Sequence, residues 1–170
     1  AIIAMANPTG NTSVGDIRKN RTVYVRGGDY FSPTVVAGAG FMLSVDSKMD
    51  YGTSVTIKGS CTGVGHGANV KQDFSKQTVI KANRNTAQLM DIVTLQKQVN
   101  IEGLTFTNST GMGINAEVGN GGKLVLKNCR WMNNKDEGIK MLANDGKLFI
   151  YNNVVAKNGG TALHTLGETT

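Results

Sequence analysis

One short pattern of apolar and polar positions recurs along the chain: apolar, any residue, apolar, polar, and then Gly, Ala or Asn. Its copies lie at residues 23–27, 55–59, 78–82, 99–103, 124–128 and 148–152, and Thr78 takes the first apolar place of the third copy. Alternation with a period of two directs the first and third side chains to one face of a strand. The Gly or Asn that follows suits the left-handed backbone of a sharp bend. The pattern therefore predicts short strands joined at tight corners.

The spacing of these copies predicts how the strands are arranged. The third residues of the copies are Val25, Ile57, Ile80, Ile101, Leu126 and Ile150, so their numbers differ by 32 and then by 21 to 25. A repeat of this length is typical of one turn of a solenoid. We therefore predict an all-β fold, a right-handed single-stranded parallel β-helix of about six to seven rungs. The long first gap predicts a loop insertion within 29–52, in a β-helix domain of residues 22–170 that follows an N-terminal segment or cap, residues 1–21.

Further strands of each rung are visible at the same spacing. Residues 104–106 align with 129–131 and 153–155, and residues 113–116 align with 138–141 and 162–165. Ser109, Asn134 and Asn158 fall together at a turn, where stacked Asn side chains can hydrogen-bond from rung to rung. An antiparallel β-sandwich is the alternative fold, with hairpin signals at Asn120-Gly121 and Asn158-Gly159. The spacing of these signals is that of rungs, which favours the β-helix.

Several of these segments resemble a known superfamily. Residues 54–60 and 99–108 look like rungs of the pectin-lyase-like parallel β-helix proteins, and residues 21–30 are similar to the first rung of that superfamily in many bacterial surface proteins. The resemblance covers roughly Thr22 to Leu163. It implies the fold and a secreted or cell-surface protein, and it says little about activity.

Composition narrows the function classes. The chain has 22 Gly and 2 Pro among 170 residues, which fits many tight turns. Its net charge of +6 favours an anionic partner, although the same charge also simply aids solubility. Cys61 and Cys129 are too few for a disulfide scaffold and have no metal-ligand spacing, so we predict no metal and no cofactor. We also predict no transmembrane segment, because no apolar run approaches ~20 residues.

The polar position of the pattern predicts a binding surface. The column that it forms holds four cations in six places: Arg26, Lys58, Lys81, Glu102, Lys127 and Tyr151. Neighbouring strands lie about 4.8 Å apart, so stacked cations repel one another unless an anion lies between them. The column therefore predicts a basic stripe that binds acidic polysaccharide or another polyanion. Alternatively, these Lys residues only keep the sheet soluble, with Glu102 relieving the repulsion.

An aromatic patch is predicted beside this stripe. Val125 and Phe149 share the outward second position, and Tyr151 lies next to them. Aromatic rings at a surface can stack on sugar faces, although the C-terminal tail or a loop could equally cover them. On the third strand the outward column is Asn115, Lys140 and His164.

Three hypotheses for function follow. The first is a non-catalytic, adhesin-like module, extracellular or at the cell surface, that binds acidic glycan through the basic stripe and through Phe149 and Tyr151. The second is a polysaccharide lyase with Lys127 or Lys140 as its base. Such a lyase would be metal-independent, because the acids are scattered and Asp136-Glu137 is the only adjacent acidic pair. The third is a self-assembling structural protein that associates through the solenoid ends, to which the apolar segment Ala1 to Ala6 could donate a strand.

Overall fold

The computed structural model describes residues 21–32, 39–45, 54–62, 70–83 and 86–167. Every regular element in these ranges is a β-strand. The strands in chain order are β1 (Arg21–Arg26), β2 (Gly28–Phe31), β3 (Ala39–Val45), β4 (Ser54–Thr62), β5 (Lys71–Gln72), β6 (Thr78–Lys81), β7 (Gln88–Leu95), β8 (Gln98–Glu102), β9 (Leu104–Thr107), β10 (Met112–Gly119), β11 (Lys123–Lys127), β12 (Arg130–Met132), β13 (Ile139–Asn144), β14 (Lys147–Tyr151), β15 (Val154–Ala156) and β16 (Leu163–Gly167).

The strands form three sheets, and the chain visits the sheets in turn. Sheet 1 has the order β1-β4-β8-β11-β14, sheet 2 has β2-β6-β9-β12-β15, and sheet 3 has β3-β7-β10-β13-β16. All neighbours within these orders are parallel, and β5 alone is antiparallel, on β4. The predicted all-β parallel solenoid is thus confirmed. The predicted six to seven rungs are not confirmed, because the described residues place five strands in each of these orders.

One copy of the pattern lies in a different sheet from the one that the sequence predicted. β6 belongs to sheet 2, where Ile80 pairs with Tyr30 on one side and with Phe106 on the other. In sheet 1, Ile57 pairs directly with Ile101. The alignment of residues 78–82 with the first-strand copies is therefore wrong. Strands of all three sheets alternate in the same way, so the pattern alone does not distinguish one sheet from another.

The structure does not test two of the predicted boundaries, those of the loop insertion and of the N-terminal segment. Residues 29–31 belong to β2 and residues 39–45 form β3, so strands take up part of the range in which a loop insertion was predicted. Residues 33–38 and 46–53 lie outside the described part. The predicted N-terminal segment, including Ala1 to Ala6, also lies outside it except for its last residue, Arg21.

The core is built from inward side chains that stack between rungs. Leu126 pairs in register with Ile101, and both are fully buried. Phe106 and Trp131 lie on neighbouring strands of sheet 2, and their rings stack with centroids 5.8 Å apart and planes within 3°. Cys129 is also buried, and burial raises the pKa of its thiol to about 12. The thiol therefore stays protonated at physiological pH and packs as a small apolar group.

Asparagine side chains link the rungs at one inner turn. Asn134 Oδ1 accepts hydrogen bonds from the Ser109 main-chain N–H at 3.1 Å and from the Ser109 hydroxyl at 3.0 Å. In the next rung, Asn158 Oδ1 accepts from the main-chain N–H and from Nδ2 of Asn134, each at 3.0 Å. The predicted alignment of Ser109, Asn134 and Asn158 is confirmed. Asn134 is only 2% exposed, so this ladder satisfies polar groups that water does not reach.

Replacing Asn134 by Ala should destabilise the fold. The change leaves the Ser109 N–H without its buried acceptor, and an unsatisfied buried group costs about 1–3 kcal/mol. We expect the free energy of unfolding, measured by urea denaturation, to fall by about 2–4 kcal/mol when the other lost bonds are included. Asn115→Ala is the matched control, since Asn115 is half-buried and bonds Asp91 at 2.9 Å. Equal losses in the two variants would contradict a special role for the ladder.

Candidate binding site

The predicted basic stripe does not exist as one column. Register in sheet 1 gives the outward column Tyr24, Lys58, Glu102, Lys127 and Tyr151. Arg26 lies outside it, because β1 pairs with β4 two residues away from the predicted alignment: Tyr24 pairs with Lys58, and Arg26 pairs with Cys61 after a register shift. Lys81 lies on β6 in sheet 2. The prediction that six residues stack in one stripe is therefore wrong, and the column contains two cations instead of four.

The lysines of the predicted stripe are paired with carboxylates. Lys58 Nζ lies 3.6 Å from one oxygen of Glu102, and Lys127 Nζ lies 3.6 Å from the other. Lys81 Nζ bonds Asp29. Such pairs at a surface contribute little to stability, and the single charge of Glu102 offsets one of the two lysine charges beside it, which reduces the charge available to a polyanion. This arrangement favours the alternative interpretation, in which the lysines keep the sheet soluble and Glu102 reduces the repulsion between them.

Arg26 lies beside a separate hollow of about 350 Å³. Residues from the corner between β1 and β2, from the end of β4 and from the turn before β6 line this hollow: Arg26, Gly27, Gly28, Cys61, Thr62, Lys76 and Gln77. Burial raises the pKa of the Cys61 thiol, so this sulfur is a poor nucleophile at neutral pH.

The predicted aromatic patch is present on sheet 1. Val125 pairs with Phe149, and Lys127 pairs with Tyr151, so Phe149 and Tyr151 lie two residues apart on the outward face. Their ring planes agree within 6° and their centroids are 6.4 Å apart. Tyr151 is 51% exposed. The two rings are therefore stacked on each other, with Phe149 half-buried and Tyr151 exposed.

A groove that the sequence did not predict runs along the corner between sheets 1 and 2. We call it the corner groove; its volume is about 270 Å³. Phe74, from the turn between β5 and β6, forms one side, and Arg130 and Val154, on the outward face of sheet 2, belong to the other. The described residues that line it are Ser60, Phe74, Gln77, Gly103, Thr105, Asn128, Cys129, Arg130, Asn152 and Val154.

Small residues at this corner make room for the groove. Gly103, Asn128 and Asn152 take successive corner positions, with φ of 69°, 53° and 48°. A Cβ at Gly103 would lie 3.1 Å from Gln72 Nε2 and 3.2 Å from the Phe74 ring. Because Gly103 has no side chain, the segment that carries Phe74 can lie across the corner. Below it, Asn152 Nδ2 donates to Asn128 Oδ1 at 2.7 Å.

A hydrogen-bonded turn holds Phe74 in place. The Asp73 carboxylate accepts bonds from the Ser75 hydroxyl at 2.6 Å and from the Ser75 main-chain N–H at 3.0 Å. These bonds lower the pKa of Asp73. The Asp73 main-chain N–H donates to the Ser60 carbonyl at 2.7 Å, which ties the turn to β4. Phe74 nevertheless remains 52% exposed.

Arg130 is the cation of the corner groove. It pairs with Thr105 and Val154 on the neighbouring strands and is exposed. It forms no ion pair within the part of the chain that the structure describes. A guanidinium is a rigid donor that matches a carboxylate or sulfate in two-point contact. The aligned strands 104–106, 129–131 and 153–155 already put Arg130 outward, but nothing in that alignment indicated Phe74 beside it.

The two catalytic candidates lie apart. Lys127 precedes Asn128 of the corner groove and is held by Glu102. Lys140 lies on β13 in sheet 3, where it pairs with Asn115 and His164 as the sequence predicted. Because Lys127 and Lys140 lie on different sheets, they do not form one site.

Glu137 and His164 form a pair near Lys140. His164 Nδ1 lies 3.0 Å from Glu137 Oε1. This hydrogen bond lowers the pKa of Glu137, and a hydrogen bond to Glu137 raises the pKa of Asp136. Over the described residues, no group of three or more His, Cys, Asp or Glu side chains could hold a metal ion. In the same ranges no helix is long and apolar enough to cross a membrane.

Comparison with protein-family models, with curated proteins and with solved structures found no match to this chain. The resemblance to the pectin-lyase-like superfamily therefore stays a prediction, and the site has to be interpreted from its own geometry.

Acid should remove the contribution of Glu137 to stability. Its pKa is lower in the folded state than the ordinary value of 4.5, so its carboxylate stabilises the fold above pH 4.5. That contribution is lost as pH falls through the lowered pKa. We expect the difference in melting temperature between the wild type and Glu137→Gln to shrink as the pH is lowered from 6 to about 3.

The carboxyl group of Asp136, the residue before Glu137, provides the comparison for this experiment. The pKa of Asp136 is raised, so its contribution is lost as pH rises. Asp136→Asn should therefore gain stability relative to the wild type as pH rises through that raised value. A Glu137→Gln difference that does not change with pH would show that the bond to His164 contributes nothing.

Proposed function

We propose that this chain is a non-catalytic β-helix module that binds an acidic carbohydrate in the corner groove. The observation that carries the proposal is the guanidinium of Arg130, which has no ion pair among the described residues, in a groove whose other side is the exposed ring of Phe74. The net charge of +6 would draw a polyanion toward the surface. An extracellular, adhesin-like setting belongs to the same proposal and rests on the resemblance of the rungs to pectin-lyase-like proteins.

The chemistry of the lining suits an acidic sugar. Arg130 can bind a carboxylate or sulfate through two parallel hydrogen bonds. The ring of Phe74 offers a face on which the C–H groups of a pyranose can pack. The amides of Asn128 and Asn152 can bond sugar hydroxyls. Asn152 follows Tyr151, so the groove leads to the aromatic patch of Phe149 and Tyr151, where a further sugar could stack.

Binding is favoured over lyase chemistry by the groups present. Among the described residues that line the groove there is no carboxylate and no histidine. The Cys129 thiol, with a pKa raised to about 12, is not a base at neutral pH. A lyase base has to reach the proton next to a uronate carboxylate, whereas the Lys127 ammonium is held by Glu102 and Lys140 lies on sheet 3.

Arg130→Gln should weaken binding of polygalacturonate. Hydrogen bonds to a charged group contribute about 1.5–3 kcal/mol, so we expect a loss of about 10- to 100-fold in affinity, measured by isothermal titration calorimetry. Lys140→Gln removes the same charge from sheet 3 and is the matched control, expected to bind within about twofold of the wild type. Binding by the wild type should also weaken as salt is added.

Three results would contradict the proposal. One is equal affinity in Arg130→Gln and Lys140→Gln, which would place binding elsewhere. Another is an affinity for a neutral polysaccharide of equal length that matches the affinity for polygalacturonate, which would show that the acidic groups are not recognised. The third is a rise in ultraviolet absorbance from unsaturated product, which would make the chain a lyase and direct mutagenesis to Lys127 and Lys140.

A further inference from the structure

Two lysines lie directly beside each other on the outward face of sheet 1. Lys123 on β11 pairs in register with Lys147 on β14, and both are exposed. On its other side Lys123 pairs with Gln98, so neither of its register neighbours is a carboxylate. Neither lysine forms an ion pair with another described residue. We call Lys123 and Lys147 the lysine pair.

The other lysine of β11 has a different environment. Lys127 has Glu102 as its register neighbour on β8, and its Nζ lies 3.6 Å from a Glu102 oxygen. The equivalent neighbour of Lys123 is Gln98, whose Nε2 donates to Asn100 Oδ1 at 2.7 Å. Like charges directly opposite each other on neighbouring strands destabilise a sheet. The repulsion is thus reduced at Lys127 and remains at the lysine pair, where an anion between the two ammonium groups would relieve it.

The environment of Lys123 belongs to the interior of sheet 1. β11 pairs with β8 on one side and with β14 on the other. The absence of a carboxylate from both described neighbours of Lys123 is therefore a property of the sheet and not of its edge. A strand pairing with β14 would extend the sheet in its own plane and would leave the outward face uncovered.

The outward residues of β14 connect the lysine pair to the corner groove. Phe149 and Tyr151 follow Lys147 at every second residue, so the three side chains lie on one face. Strands rise about 3.3 Å per residue, so Lys147 lies about 13 Å from Tyr151. Asn152 comes next and lines the corner groove. The order along the face is therefore cations, aromatic rings, amides and then the guanidinium of Arg130.

We propose that the lysine pair is a second anion subsite of the corner groove, and that the ligand is a linear acidic oligosaccharide long enough to reach both. This inference rests on the proposed function, because the groove holds the other end of the same ligand. One acidic group binds Arg130, and another lies between the ammonium groups of Lys123 and Lys147. The exposed ring of Tyr151, with Phe149 stacked against it, lies between these two points, where the apolar part of a sugar ring can pack. An acidic monosaccharide fills only one of the two subsites.

Fragments of polygalacturonate sorted by length test the second subsite. In the wild type, the affinity measured by isothermal titration calorimetry should rise once a fragment reaches both subsites, because the second contact is then intramolecular. Lys123→Gln/Lys147→Gln should bind the shortest fragments as the wild type does and the long ones about 3- to 20-fold more weakly. Lys135→Gln/Lys157→Gln removes the same charge at exposed positions outside sheet 1. This matched control should follow the wild type at every length.

Thermal unfolding separates a binding role of the lysine pair from a structural one. Because the two ammonium groups repel each other, Lys123→Gln/Lys147→Gln should melt at the temperature of the wild type or above it. Long polygalacturonate should raise the melting temperature of the wild type more than that of this variant. A variant that melts below the wild type without ligand would show that the lysines stabilise the sheet, and would overturn the proposal.

Failure of the second subsite can be told from failure of the proposed function. If Arg130→Gln weakens binding while Lys123→Gln/Lys147→Gln follows the wild type at every length, the groove binds acid and the second subsite is wrong. Equal losses in Lys123→Gln/Lys147→Gln and in the matched control would reduce the lysine pair to general surface charge, which also contradicts it. If Arg130→Gln binds every fragment as the wild type does, the proposed function itself fails, and the lysine pair has no groove to extend.

Discussion

Each described strand of the three sheets is constrained by the strand or strands that pair with it. Parallel pairing at about 4.8 Å places equivalent residues of successive rungs in contact. The side chains that stack in one column must therefore be compatible with one another. Inside, this constraint produces stacks such as Ile101 on Leu126 and Phe106 on Trp131. At the turns it produces the ladder in which the side chain of each Asn serves the rung before it.

The same constraint shapes the outer faces. A continuous row of cations would repel at this spacing, and the structure inserts Glu102 between Lys58 and Lys127. Lys81 is compensated in the same way by Asp29 on the neighbouring strand. Three of the cations of the predicted stripe thus lie beside a carboxylate of the same column or of a neighbouring strand. Other cations are not compensated in this way: Lys123 and Lys147 pair in register on sheet 1 and are exposed, and Arg130 forms no ion pair among the described residues.

Two features of the described surface lie where the regular stacking is interrupted. The described turn between β5 and β6 brings Phe74 over the corner at Gly103, and both residues line the corner groove. At the C-terminal end the stack has no described rung beyond it, and inward residues meet solvent. The corner groove is lined by Arg130 and by amide side chains, whereas the exposed side chains of the last described rung include the apolar Ile150 and Leu163.

The sequence by itself determined the local geometry of the rungs. Alternation with a period of two separates inward from outward side chains, and the even spacing after residue 98 correctly aligns Thr105 with Arg130 and Ser109 with Asn134. Alternation does not determine which sheet each strand joins, because strands of all three sheets alternate alike. The pattern therefore assigns residues 78–82 to sheet 1 and places Lys81 in a stripe that does not exist. Only the tertiary structure places Phe74 and Arg130 in one groove or exposes Ile150 and Leu163, because these features depend on the path of the turn before β6 and on what covers a rung, and periodicity encodes neither.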